Sequence, residues 1–184
     1  QDDGKGLDYV IPPQQEVSLN VLPAHFQNNY IAYAIGGQMM GKILPLQQMI
    51  DLCTRISKPI VLLGSVEDRA RGDQVVKACG NSVFNACGAF SLNQSASLIQ
   101  QAHKVISHDT GLMHIATALG RPVISLWFAT TPALGFSPWQ AVAGSRMIEA
   151  DCPKRPTSKL GNRGYEDGCV FNIDLASVAR VAAE

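Results

Sequence analysis

The sequence has no excess charge of either sign. Its 15 basic and 15 acidic residues among 184 give a formal net charge of +0, and no Lys/Arg run exceeds two. That excludes a broad basic face for nucleic acid. No apolar stretch reaches the roughly 18 residues a membrane-spanning helix needs. The start, "QDDGKGLDYVIPPQQ", is polar, with neither signal-peptide character nor an initiator Met, so a segment of a longer protein is expected. No C-x-x-C occurs, and the five cysteines (Cys53, Cys79, Cys87, Cys152, Cys169) are odd in number. A disulfide framework is not expected in a chain this large and apolar, and all five are expected as free thiols in a reducing cytoplasm. His25, His103, His108 and His114 show no metal-ligand spacing with one another or with the cysteines. Neither G-x-S-x-G nor G-x-G-x-x-G is present, which removes the nucleophile elbow and the dinucleotide fingerprint.

What remains is a globular composition, 46% hydrophobic and 16% charged, sufficient for a sizeable core. Residues 1–29 hold three of the ten prolines (Pro12, Pro13, Pro23) and little periodicity; an extended arm or linker is expected. From residue 30 short apolar runs alternate with helical patterns. Strands are expected at Tyr30–Gly37, Lys58–Ser65, Ser82–Gly88, Lys104–His108 and Pro122–Trp127. Helices are expected at Pro45–Ser57, Glu67–Cys79 (weakened by Gly72), Ser91–His103 with Ser91 as N-cap, and Gly111–Gly120. After Trp127 the pattern loosens into Pro- and Gly-rich segments, and a closing helix is expected over Asn172–Glu184. Such alternation predicts an α/β fold, a Rossmann-like parallel sheet with helices on both faces, over residues 30–184. Trp127, Phe128, Phe136 and Trp139 are expected in the core, with a pocket wall as the alternative.

In such a sheet ligands bind beyond the carboxyl ends of the strands. Three strand ends carry unusual residues: "GGQMMGK", "GSVEDR" and "HDTGLMH". In the last, Asp109 or Thr110 can cap the helix, and the amides of Thr110, Gly111 and Leu112 would face the rim, where the helix dipole favours an anion. A phosphate suits them. Asp109 would repel it at close range, and so suits backbone capping or sugar hydroxyls. His114, four residues after Thr110, could donate to the same ligand. Gly36, Gly41 and Lys42 fit G-x-x-x-x-G-K, but Ile43 stands where that loop needs Ser or Thr and Pro45 delays the helix; a phosphate-loop nucleotide hydrolase is a remote alternative. Lys42 still serves as a point charge on a diphosphate. Glu67 is placed to take ribose hydroxyls.

"SHDTGLMHIATALGRPVISLW" with "TTPALGFSPW", "GKILP" and "VLLGSVED" resembles glycosyltransferase family 9, the lipopolysaccharide heptosyltransferases and their relatives, over about residues 30–140. The resemblance implies the C-terminal half of a GT-B glycosyltransferase, with an N-terminal acceptor domain, carrying the general base, outside this chain. It implies transfer of a sugar with inversion from a nucleotide-sugar, typically ADP-heptose, to a lipopolysaccharide-type acceptor. No tightly bound cofactor is implied, and a divalent cation is left open. By motif, Lys42 would hold the donor diphosphate and stabilise the leaving group, Glu67 would bind the ribose, and Asp109 would contact the transferred sugar or cap the loop. The Thr110, Gly111 and Leu112 backbone would hold the phosphates with His114. A cytoplasmic enzyme, peripheral at the inner membrane, follows by family. A non-catalytic nucleotide-sugar binding module is the alternative. The segment alone is expected to be inactive, with an exposed cleft face able to self-associate.

Overall fold

The computed structural model describes residues 4, 6–162, 165, 166 and 168–184. Its strands are β1 (Ile31–Ala34), β2 (Ile60–Leu63), β3 (Val83–Asn85), β4 (Lys104–His108), β5 (Val123–Trp127) and β6 (Arg146–Glu149). Its longer helices are α1 (Leu46–Arg55), α2 (Arg69–Cys79), α3 (Leu92–Gln101), α4 (Gly111–Ala118) and α5 (Leu175–Ala183). The strands form one six-stranded sheet in the order β3-β2-β1-β4-β5-β6. Every pairing is parallel. All residues of β1, β2, β4 and β5 are buried, as a sheet covered on both faces requires.

The two-residue alternation of a strand divides the interior. Ile31, Tyr33 and Ile35 join Met49, Leu52, Val75 and Val178, the apolar faces of α1, α2 and α5. Tyr30 and Ala32 join Leu98, Ile99, Met113 and Ala116 from α3 and α4. Ser91 caps α3 as expected, its hydroxyl accepting from the Gln94 amide. Gly72 is a contact residue as well as a weak helix former: Asn85 lies so close that an added Cβ would collide with its amide. The Asn85 amide in turn donates to the Arg69 carbonyl and to Asp73, which locks α2 onto β3.

Three features differ from expectation. A sixth strand lies in the loosened region. β6 is an edge strand with mostly exposed side chains, so its sequence carries neither an apolar run nor alternation. Cys152 and Cys169 are not free: they form a disulfide with Cα atoms 5.3 Å apart. The chain folds back after β6, with the Asp151 amide donating to the Asn172 carbonyl, and this brings together two cysteines 17 residues apart. Cys53, Cys79 and Cys87 are free thiols. Of the four aromatics, Trp127 and Phe128 are buried, whereas Phe136 and Trp139 are exposed. The amino-terminal stretch, whose residues 1–3 and 5 lie outside the described residues, makes short turns against α3. Ser97 accepts from the Val17 amide, and Phe26 is buried beside Phe84.

Candidate functional site

The sheet order reverses direction between β1 and β4, and a crevice opens at such a point beyond the carboxyl ends of the strands. Here it is a cleft of ≈ 900 Å³. Its lining includes Lys42 after β1, Ser65, Glu67 and Asp68 after β2, Asp109 to Leu112 after β4, and Leu160 from the late segment. The three expected loops therefore do converge.

Lys42 ends a short turn, Met40–Lys42. Its Nζ lies 2.7 Å from Asp109 Oδ2, with side chains 18% and 5% exposed. The Phe136 ring centroid is 5.5 Å from that Nζ, a cation–π distance. Gly161, in the left-handed region at φ +70°, lies against the lysine stem; an added Cβ would be 2.5 Å from Lys42 Cγ. The ammonium is thus held on several sides.

This loop is not a phosphate loop. The Gly41 amide donates to the Gly161 carbonyl, Lys42 to Met39, and Ile43 to Met40. Three amides at the Gly-Lys end of the loop are thus used within the protein, and α1 starts only at Leu46 instead of directly after the lysine. The hydrolase alternative fails on that geometry.

Under the turn sits His108, fully buried. Its Nε2 accepts from the Leu44 amide at 3.3 Å and pairs with the Tyr33 hydroxyl at 3.2 Å. Burial pushes its pKa down to about 3, against the pull of the Gly36 backbone. The ring is neutral at physiological pH and serves to pin the Lys42 turn.

At α4, Thr110 occupies the N-cap position, but its side chain makes no capping bond; its hydroxyl pairs with Ser107 instead. Among the described residues no hydrogen bond is donated by the Thr110, Gly111 or Leu112 amides, as is general for the first turn of a helix. A Cβ on Gly111 would meet nothing within 4 Å. Asp109 does not cap the helix; it pairs with Lys42 and accepts from Thr130 Oγ1 at 3.0 Å. His114 is not among the cleft-lining residues, whereas Ile115 is.

After β2, Glu67 is exposed on the cleft rim. The Ser65 hydroxyl and the local backbone hold its carboxyl below the ordinary glutamate range, so it is ionised at neutral pH. Its neighbour Asp68 was not anticipated. It is buried, accepts from both the amide and the hydroxyl of Ser65 at 2.9 Å, and pairs with Arg71. Ser65-x-x-Asp68 is a capping box, legible as such in the sequence. The glycines around it are explained too: an added Cβ on Gly36 would be 2.6 Å from Asp68 Oδ2, and one on Gly64 2.9 Å. Among the described residues no group of three or more His, Cys, Asp or Glu could hold a metal ion. Nor is any helix there long and apolar enough to cross a membrane.

The sheet order and the cleft at its reversal, lined by Lys42 and the start of α4, define a Rossmann-like α/β domain. The chain belongs to glycosyltransferase family 9 (heptosyltransferase), whose family model matches residues 25–160. It is 35% identical over 77 residues to lipooligosaccharide heptosyltransferase 2 of Haemophilus influenzae, and 32% identical over 77 residues to lipopolysaccharide heptosyltransferase 2 of Escherichia coli K12. Each match covers 40% of this chain and 22% of the relative. The fold is shared with E. coli ADP-heptose heptosyltransferase II (TM-score 0.73, 20% identity), over 95% of this chain and 51% of that one. It is shared also with an E. coli heptosyltransferase solved with ADP (TM-score 0.65, 22% identity), over 89% of this chain and 46% of that one. The chain thus spans about half the length of these solved relatives.

Proposed function

We propose that this chain is the donor-binding half of a glycosyltransferase that transfers heptose from ADP-heptose, with inversion, to a lipopolysaccharide-type acceptor at the inner membrane face. The carrying observation is the Lys42 ammonium, fixed by Asp109 in the cleft that α4 enters with its amides free. A diphosphate carries negative charge that grows as the anomeric bond breaks. A held ammonium and preorganised amides stabilise that charge without reorganising during the reaction. Glu67 suits a ribose diol, since an exposed carboxylate can accept from both hydroxyls. The relatives named for ADP-heptose or solved with ADP support adenine as the base and heptose as the sugar. Deprotonation of the acceptor hydroxyl is assigned to a domain outside this chain.

The test is calorimetric titration with ADP, UDP, GDP and ADP-heptose, repeated on Lys42→Ala and Glu67→Ala. Selective ADP binding weakened by both substitutions is expected. A preference for UDP or GDP would overturn the heptose assignment while leaving the fold. Transfer by the full-length protein separates an enzyme from a binding module: a full-length protein that binds ADP-heptose but transfers nothing is the module.

A further inference from the structure

Asp109 does not hold Lys42 unaided. The carboxylate oxygen that meets Lys42 Nζ at 2.7 Å, Oδ2, also accepts from Thr130 Oγ1 at 3.0 Å. Thr130 is 1% exposed, so no water competes for that hydroxyl. Its carbonyl receives Arg155 twice, from Nε at 3.2 Å and from a terminal nitrogen at 2.7 Å. Arg155 also donates to the Ala150 carbonyl and pairs with Glu149 at the end of β6. A continuous chain of bonds runs from the edge strand to the ammonium in the cleft.

We propose that Thr130 is a positioning residue: its hydroxyl fixes the rotamer of the Asp109 carboxylate and, through it, the place of the Lys42 ammonium. A carboxylate rotates readily about its terminal torsion, and a single ion pair does not choose between its two oxygens. A buried donor on Oδ2 makes that choice, and Arg155 keeps the donor in place by holding the backbone that carries it. The role rests on the donor-site reading only for what the ammonium binds; the holding itself is a property of the free protein.

The experiment has two arms on the same chain. Reaction of Lys42 with an amine-acylating reagent is followed site by site by mass spectrometry, and ADP binding is measured beside it. Thr130→Val is expected to speed Lys42 acylation about tenfold and to weaken ADP about tenfold, the scale of one charge-assisted hydrogen bond. Thr130→Ser, which keeps the hydroxyl, returns both to within about twofold of the parent protein. In an Asp109→Asn background Thr130→Val adds nothing, because the two act in series. Lys58 and Lys104 keep their parent rates throughout. An unchanged Lys42 rate in Thr130→Val overturns the assignment. So does an equal acceleration at Lys58 and Lys104, which would mean general loosening, or a full effect in the Asp109→Asn background. If Lys42 responds as expected but the parent protein binds no nucleoside diphosphate, the positioning role stands and the donor-site reading falls.

Discussion

Two strand ends bring carboxylates to the same cleft, and they are built in opposite ways. After β4, Asp109 is buried and takes Lys42 and Thr130 on one oxygen. After β2, Glu67 is exposed, and the buried carboxylate is its neighbour Asp68, occupied with its own loop. The β4 side is a fixed electrostatic device, costly to disturb because its charges are desolvated together. On the β2 side the two duties are separated: Asp68 shapes the loop and Glu67 is left exposed on the rim. Substitutions in the Lys42–Asp109 pair should therefore move stability and binding together, whereas Glu67 and the start of α4 should move binding alone.

The largest effect is expected from Lys42→Ala. It leaves Asp109 buried with one partner, which costs about 2–3 kcal/mol, the low end for a broken buried pair because Lys42 is partly solvated. ADP binding should fall about 100-fold with the loss of a charge-assisted contact to phosphate. Chemical denaturation and calorimetry on one preparation read both; a binding loss with unchanged stability would break the comparison. His108 gives the next effect. Its pKa is depressed to about 3 in the fold against 6.5 when unfolded, so below pH 6.5 the unfolded chain binds a proton that the native chain refuses. Stability should fall as pH drops from 6.5 toward 3, with a contribution from this ring approaching about 1.4 kcal/mol per pH unit. His108→Gln should flatten that part of the profile; an unchanged slope would mean that the ring is not the buried neutral group described.

The contrast also explains what was legible in the sequence. β1, β2, β4 and β5 are buried along their whole length, so their apolar runs reveal them, and the edge strand β3 still keeps Val83 buried; β6, the opposite edge, is mostly exposed and carries neither an apolar run nor alternation. The rim loops could be found because strand ends must converge in a parallel sheet. Their internal wiring could not, because it is non-local. Thr130 reaches Asp109 across 21 positions, and Gly161 reaches Lys42 from a segment with no periodicity at all. The Cys152–Cys169 disulfide was hidden for the same reason. His114 was expected to share the ligand with Thr110, but the cleft wall at that turn of α4 is Ile115. Gly36 looked like part of a phosphate loop, yet its lack of a side chain serves Asp68. Around the cleft, the Ser65–Asp68 capping box was local enough to have been read directly, as the Ser91 cap of α3 was.

Gly111→Ala sharpens the comparison at the binding end of the β4 side. The added methyl meets no protein atom within 4 Å, and alanine favours helix, so stability should stay level or rise by under about 1 kcal/mol. ADP should still bind about tenfold more weakly, because the methyl stands where an anion must approach the α4 amides. Unaltered affinity would move the phosphate away from α4.

The smallest effect is expected at Glu67. Glu67→Gln keeps the size of the side chain and one acceptor oxygen, and the carboxylate is exposed, with only Ser65 and the local backbone favouring its charge. The thermal midpoint should stay where it is. ADP affinity should fall only about three- to tenfold, as expected when a charged acceptor is replaced by a neutral one. The discriminating reading is the ratio of ADP to 2′-deoxy-ADP affinity. If Glu67 accepts from the ribose diol, the parent protein prefers ADP and the variant loses most of that preference. If both proteins bind the two nucleotides with the same ratio, the ribose lies elsewhere, and the exposed carboxylate of the β2 loop is only a favourable charge at a helix start.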